Sequence, residues 1–393
     1  MGSSGRTRRG GVAVLELTPR ATPSARMALL SPALALAVTI ILCTGLFALL
    51  GQDPVRGLSL FFIEPFAGTR ALGELSLKAT PLLLIGIGLA ISFRANVWNV
   101  GAEGQFIIGA VCAARVALAA TEGTSGAIVV GILLAGVLGG MAWSALTAVL
   151  KDRWGASEIL VSLMLVYVAE QLLGYLVFGP WRDPAGHNFP QTSAFADPTR
   201  IPRLIAGSRA NIGLLLALGL AGSGWLFLQR SHAGFALLVG GSSPPAARYA
   251  GYSGRAALWL ACLISGGLAG LAGALEVAGP LGQLTPHVPA GYGFTAIIVA
   301  FVGRLSPLGV ILSSFLLSLF HIGGELAQSR MALPKSIALV FQGLLLLSVL
   351  ASDTLIHRRV RFRSQRGVAA CPAPALTDAA GGAGPASDRS GDR

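Results

Sequence analysis

The sequence predicts an all-α, polytopic helical membrane protein of about ten transmembrane helices, with broken or re-entrant helices near its centre. Three observations carry that expectation. Of 393 residues, 53% are hydrophobic and 12% charged, with a mean hydropathy of +0.70; soluble domains carry roughly 25% charged residues. Apolar runs recur at about the 20-residue length that a helix rising 1.5 Å per residue needs to cross a bilayer. Between two such runs lies residues 93–109, F-R-A-N-V-W-N-V-G-A-E-G-Q-F-I-I-G, with Arg94, Asn96, Asn99, Glu103 and Gln105 among glycines. A charge at a helix centre costs roughly 2.5–3.5 kcal/mol on insertion scales, so such residues face a bundle interior or a hydrated cavity. Irregular backbone at membrane depth is tolerated in the same places.

In chain order, residues 1–28 hold Arg6, Arg8, Arg9, Arg20 and Arg26 among Gly, Ser, Thr and Pro, the composition of a disordered basic arm on the cytoplasmic side. Residues 29–50 form a first span, longer than a signal-peptide core and closed by no A-x-A site, and so retained. Residues 51–73 lie outside, and 75–93 return to Arg94, with Pro81 near the start where a missing N–H matters least. After the polar stretch, 100–120 lead out and 127–150 come back to Lys151, Asp152 and Arg153. Ser157 caps a span over 158–178, with Glu158 at the positive end of its dipole.

Residues 179–209 make a long outer loop whose Arg182, Arg200, Arg203 and Arg209 run against the positive-inside trend. Residues 212–228 cross inward to Arg230, and 231–255 stay inside as a polar segment. Residues 256–278 lead out, with Gly266, Gly270 and Ala274 spaced four apart as a close-packing ridge. Residues 294–302 are too short to cross upright and read as a half-helix or a tilted span. Spans at 308–323 and 336–351 complete the set, the second followed by His357, Arg358 and Arg359. The membrane domain is therefore 29–357, and 358–393 form a basic and then disordered cytoplasmic tail.

Several chemistries are excluded. The 29 Lys and Arg against 17 Asp and Glu give +12, but the basic residues cluster at the ends and in short loops. No basic stretch is interleaved with aromatics, so lipid and not nucleic acid is the expected surrounding. None of Lys78, Lys151 and Lys335 follows a glycine, so no Walker A loop exists to cradle phosphates. Histidines and cysteines lie too far apart for a metal or disulfide framework, so neither a metal nor a cofactor is expected. Gly251-Tyr252-Ser253-Gly254, with His321 as a base, superficially resembles the serine motif of rhomboid proteases; a turn and helix start accounts for the same residues.

Asn99 reads as the cap of a helix beginning at Val100. Glu103 and Gln105 then either meet a solute or satisfy backbone groups freed by the break, and both readings stand. An ion-coupled carrier using Glu103 as its proton site is the rival class. In the second polar segment, A-A-R-Y-A-G at 246–251 offers an aromatic and a cation to a partner, or connects two spans at the headgroups.

These segments resemble signatures of the permease subunits of ABC importers in the branched-chain amino acid, ribose and nucleoside group, closest to the nucleoside (simple sugar) permeases. Phe93-Arg94 followed by Asn99-Val100-Gly101-Ala102-Glu103-Gly104-Gln105 matches N-[IV]-G-A-E-G-Q, and Gly241, Pro244 and Ala246 through Gly251 match G-x-N-P-x-A-A-R-Y-A-G, with Ser243 in place of the Asn. Residues 265–273 and 293–307 match further, while Ser157 and Val166 replace asparagines usual in the group. The resemblance, over about 75–351, implies a roughly ten-helix permease without enzymatic activity, working by alternating access in a bacterial inner membrane with both termini cytoplasmic. It implies two cytoplasmic ABC ATPase domains, a second and often different permease subunit, and an extracytoplasmic substrate-binding protein or lipoprotein. Nucleosides are the implied solute, with a sugar as the alternative. Within that scheme Asn99, Glu103, Gln105 and Phe294 line the solute path. Pro245, Ala246, Ala247, Arg248, Tyr249, Ala250 and Gly251 form the coupling helix to the ATPase.

Overall fold

Backbones brought into contact by small residues set the architecture. The computed structural model describes residues 13–19, 25–186, 189–204, 208–334 and 336–364. Its helices are α1 (Ala25–Leu49), α2 (Pro54–Phe62), α3 (Thr69–Arg94), α4 (Ala102–Leu118), α5 (Ile128–Trp154), α6 (Glu158–Phe178) and α7 (Gly213–Arg230). They continue with α8 (His232–Ser242), α9 (Pro244–Tyr249), α10 (Gly254–Glu276, extended by a π turn Val277–Leu281), α11 (Tyr292–Val302), α12 (Pro307–Met331) and α13 (Ser336–His357). Every apolar segment read from the sequence is helical. Among the described residues six helices are long and apolar enough to cross a membrane: α3, α5, α6, α7, α10 with its π turn, and α12. The segment at 294–302, read as a half-helix or a tilted span, is α11, only 11 residues long.

α3 forms the centre of the bundle. In its most apolar window 89% of residues are buried, against 22% for α6, which makes α6 a peripheral helix. Beside α3, α4 and α5 press on α10 at positions that admit no side chain. A Cβ on Gly109 of α4 would lie 2.3 Å from the Gly270 Cα, and one on Gly140 of α5 would lie 2.2 Å from the Gly266 carbonyl oxygen. The ridge Gly266, Gly270 and Ala274 is thus the face that α4 and α5 rest on. Where lipid supplies no hydrophobic drive between helices, such contact is a main source of cohesion.

Separately from the bundle, β1 (Ala13–Pro19) pairs antiparallel with β2 (Arg358–Ser364). Composition predicted no strand in either terminal arm. Residues 1–12, 20–24 and 365–393, on which most of the expected terminal disorder falls, lie outside the described residues.

Gly270→Val is expected to lower the detergent-solubilised melting temperature, at a cost of about 1–3 kcal/mol or more, because overpacking here has only backbone to displace. Gly219→Ala on α7, where an added Cβ meets nothing within 4 Å, should leave it unchanged or slightly higher. Thermal unfolding of both variants checks the contrast.

Candidate functional site

α3 stops because its last turn is captured by the chain that follows. The Ser92 hydroxyl donates to the Val97 carbonyl at 2.6 Å, and Asn96 takes a left-handed conformation, φ 56°, that asparagine tolerates. Phe93, Trp98 and Phe301 pack around this turn, with Phe93 and Phe301 stacked at 5.5 Å. Asn99 and Gln105 then exchange two amide hydrogen bonds, each 2.9 Å. Asn99 Nδ2 also donates to Ser265 Oγ of α10 at 2.9 Å. The helix expected at Val100 begins instead at Ala102: Asn99 Oδ1 accepts from the Gly101 N–H, making a short turn first.

Glu103, 1% exposed, accepts at Oε1 from the Gly291 N–H at 2.9 Å and at Oε2 from the Gly293 N–H. Gly291 is the N-cap of α11 and has no side chain with which to cap it, so a carboxylate from another helix does so. The approach needs glycine: a Cβ on Gly293 would lie 2.2 Å from the Glu103 nitrogen. The positive ends of α4 and α11 therefore meet, with a carboxylate between them. Asn99, Glu103 and Gln105 are all buried, whereas Phe294, next to Gly293, is 39% exposed.

At the same end of α3 lies the second segment. Ser231 caps α8, its Oγ accepting from the Gly234 N–H. Two prolines start α9, where their missing N–H costs nothing. Ala247 is buried, while Pro245, Ala246, Arg248, Tyr249, Ala250 and Gly251 are exposed, Tyr249 to 95%. Ser253 is an exposed helix cap, accepting from the Ala256 N–H, so Gly251 to Gly254 are a turn and helix start. Behind this surface, Arg255 Nε pairs with Asp152 Oδ2 at 2.6 Å, and Trp259 Nε1 donates to the same oxygen. Gly241 of α8 rests directly on the break: a Cβ there would lie 2.0 Å from the Arg94 carbonyl oxygen. Break, Glu103 network and exposed hairpin thus form one connected path.

The sequence reading missed Ser265, Gly291 and Gly293 as partners, because they lie more than 160 residues from the groups they serve. Two arginines of the 179–209 loop have acidic neighbours that answer their charge, Arg209 with Glu74 and Arg200 with Asp197. Among the described residues no cluster of three metal-ligand side chains occurs.

The model of the family described as branched-chain amino acid transport system / permease component matches residues 71–350. The chain belongs to this family. The permease is 30% identical over 378 residues to a glucose ABC transporter permease protein of Haloferax volcanii, covering 94% of this chain and 98% of that relative. It is 28% identical over 306 residues to a guanosine ABC transporter permease protein of Bacillus subtilis, covering 77% and 87%. It is 24% identical over 302 residues to a nucleoside ABC transporter permease protein of Lactococcus lactis, covering 75% and 83%. No solved structure matches it. Its relatives are permease subunits, transport components and not enzymes.

Glu103→Ala leaves two buried N–H groups without their acceptor, each worth about 1–3 kcal/mol. The expected outcome is a permease that unfolds at lower temperature, with Glu103→Gln, which keeps one acceptor oxygen, between the two. Thermal unfolding in nanodiscs reads the order.

Proposed function

We propose that this permease is the membrane subunit of an ATP-binding-cassette importer that moves nucleosides by alternating access. Two cytoplasmic ATPase domains drive it, a second and related permease chain completes the path, and an extracytoplasmic binding protein or lipoprotein delivers the solute. In this reading about ten segments cross a bacterial inner membrane, α11 is a re-entrant half-helix, and both termini are cytoplasmic. Two of the relatives named above are permeases for guanosine and nucleosides. A sugar is the second reading, favoured by the glucose permease of Haloferax volcanii, which matches nearly the whole chain.

The observation that carries the proposal is the backbone contact of Gly241 on Arg94. Pro245 to Gly251 present a short rigid surface to an ATPase groove, and α8 transfers its displacement to the break without an intervening flexible side chain. From there, the turn at Ser92 and Val97 and the Asn99–Gln105–Ser265 network lead to Glu103 and the start of α11. Asn99, Glu103 and Gln105 belong to the solute path as the wall that positions α11, and Phe294 is the side chain that α11 turns toward the solute.

Arg248→Glu combined with Tyr249→Ala should leave membrane insertion intact and abolish ATP-driven uptake in proteoliposomes holding the assembled complex. Undiminished uptake by that variant would remove coupling from α9. Concentrative uptake by the lone wild-type chain, driven by a proton gradient without ATP, would replace the importer reading with the ion-coupled one.

A further inference from the structure

Polar groups that the Glu103 network does not use converge on the buried face of α11. Tyr292 and Thr295 lie one turn apart there, 1% and 2% exposed. The Tyr292 ring meets Phe106 of α4 at 5.8 Å and His321 of α12 at 5.3 Å. Thr295 Oγ1 donates to Gln342 Oε1 of α13 at 3.0 Å, which fixes the amide and leaves its other end unused. Among the described residues, neither Tyr292 Oη nor Gln342 Nε2 has a hydrogen-bond partner, and both atoms are fully buried.

A polar route leads from this pair to the surface. Lys78 Nζ of α3 lies 5.9 Å over the Tyr292 ring and 2.9 Å from Glu325, one turn beyond His321 on α12. Exposure rises along that line, from 1% at Tyr292 through 18% at the Lys78 side chain to 46% at that of Glu325. Ionisable residues within membrane helices mark solute or ion routes. Polar atoms buried without partners carry a desolvation cost that folding alone gives no reason to keep.

We propose that Tyr292 and Gln342 form a hydroxyl-reading subsite of the solute path, at the base of the Lys78–Glu325 route. The proposal rests on the importer reading above and names the part of the solute recognised: the hydroxylated ring shared by a nucleoside's ribose and a sugar. A ring hydroxyl both donates and accepts, so it can accept from the Gln342 amide and exchange a hydrogen bond with the Tyr292 phenol. If the amide is turned over, Thr295 still holds one end and the other still faces the solute. Both polar atoms are sealed in this conformation, as alternating access requires of a site between its two openings.

The test uses Tyr292→Phe and Gln342→Leu in the full complex with its ATPases, second permease and binding protein, reconstituted in proteoliposomes, with radiolabelled guanosine and glucose as probes. A solute subsite predicts that Tyr292→Phe keeps or raises the melting temperature of the complex without solute, because an unsatisfied buried group has been removed; Gln342→Leu also takes away the acceptor of the Thr295 hydroxyl and is read on uptake alone. The subsite predicts that uptake of the transported probe falls about tenfold, the loss of roughly one hydrogen bond to the moving solute. Unchanged uptake in both variants overturns the subsite. So does a fall in uptake by Tyr292→Phe matched by a fall in its melting temperature, which assigns the phenol to a structural water. If the wild-type complex moves neither probe on ATP, the importer reading fails; if it moves one and the variants match it, only the subsite fails.

Discussion

The structure depends on a carboxylate buried between two helix starts. α4 and α11 each present the positive end of a dipole and uncapped N–H groups to the same small volume. Without an anion there, two sets of unsatisfied donors would face each other inside a membrane bundle, where water is not at hand to serve them. Glu103 resolves this by accepting from Gly291 and Gly293 at once, and the absence of a Cβ at Gly293 lets the backbones come close enough for it to do so. A short helix such as α11 gains little stability by itself. Its length packs on α3 and α12, while its start is held by α4 through Glu103.

That dependence gives the break after Phe93 its consequence. On one side it is touched by the α8 backbone at Gly241; on the other it runs into the amide pair of Asn99 and Gln105, which is tied to α10 through Ser265. α10 in turn is locked to α4 and α5 at Gly270 and Gly266. Contacts between backbones pass on displacement with little loss, because close-packed interiors give way in discrete steps and not gradually. Long side chains would absorb the same movement by changing rotamer. The glycines at 241, 266, 270 and 293 are thus the stiff points of a single linkage.

Most of the helical plan was legible in the sequence because apolar length and glycine spacing are local signals. The break announced itself through Arg94, Asn99 and Glu103 lying between apolar runs, and the short helix α11 through the brevity of 294–302. The ridge at 266, 270 and 274 was readable from a period of four. Legibility stopped where the partner lay far along the chain. Nothing near Glu103 says that its oxygens belong to Gly291 and Gly293, and the start of α4 moved to Ala102 because Asn99 spends its side chain on Gln105 and Ser265 as well as on the turn. Likewise the outer arginines looked anomalous only until Glu74 and Asp197 were found beside two of them.

Burial separates two kinds of polar residue that composition cannot tell apart. Asn99, Glu103 and Gln105 are buried with hydrogen bonds between side chains or to backbone, the signature of groups that hold structure. Tyr292 and Gln342 are buried just as deeply on the adjoining face of α11, yet each keeps a polar atom without a partner. Both sets bear on the same short helix, one through its amides and the other through its side chains. A helix held at its start by one network and facing unsatisfied donors along its flank can couple the movement of the first to the occupancy of the second. The rigid contacts from Gly241 through the break to Glu103 end at α11, where Tyr292 directly follows the cap and Thr295, one turn on, holds Gln342 of α13.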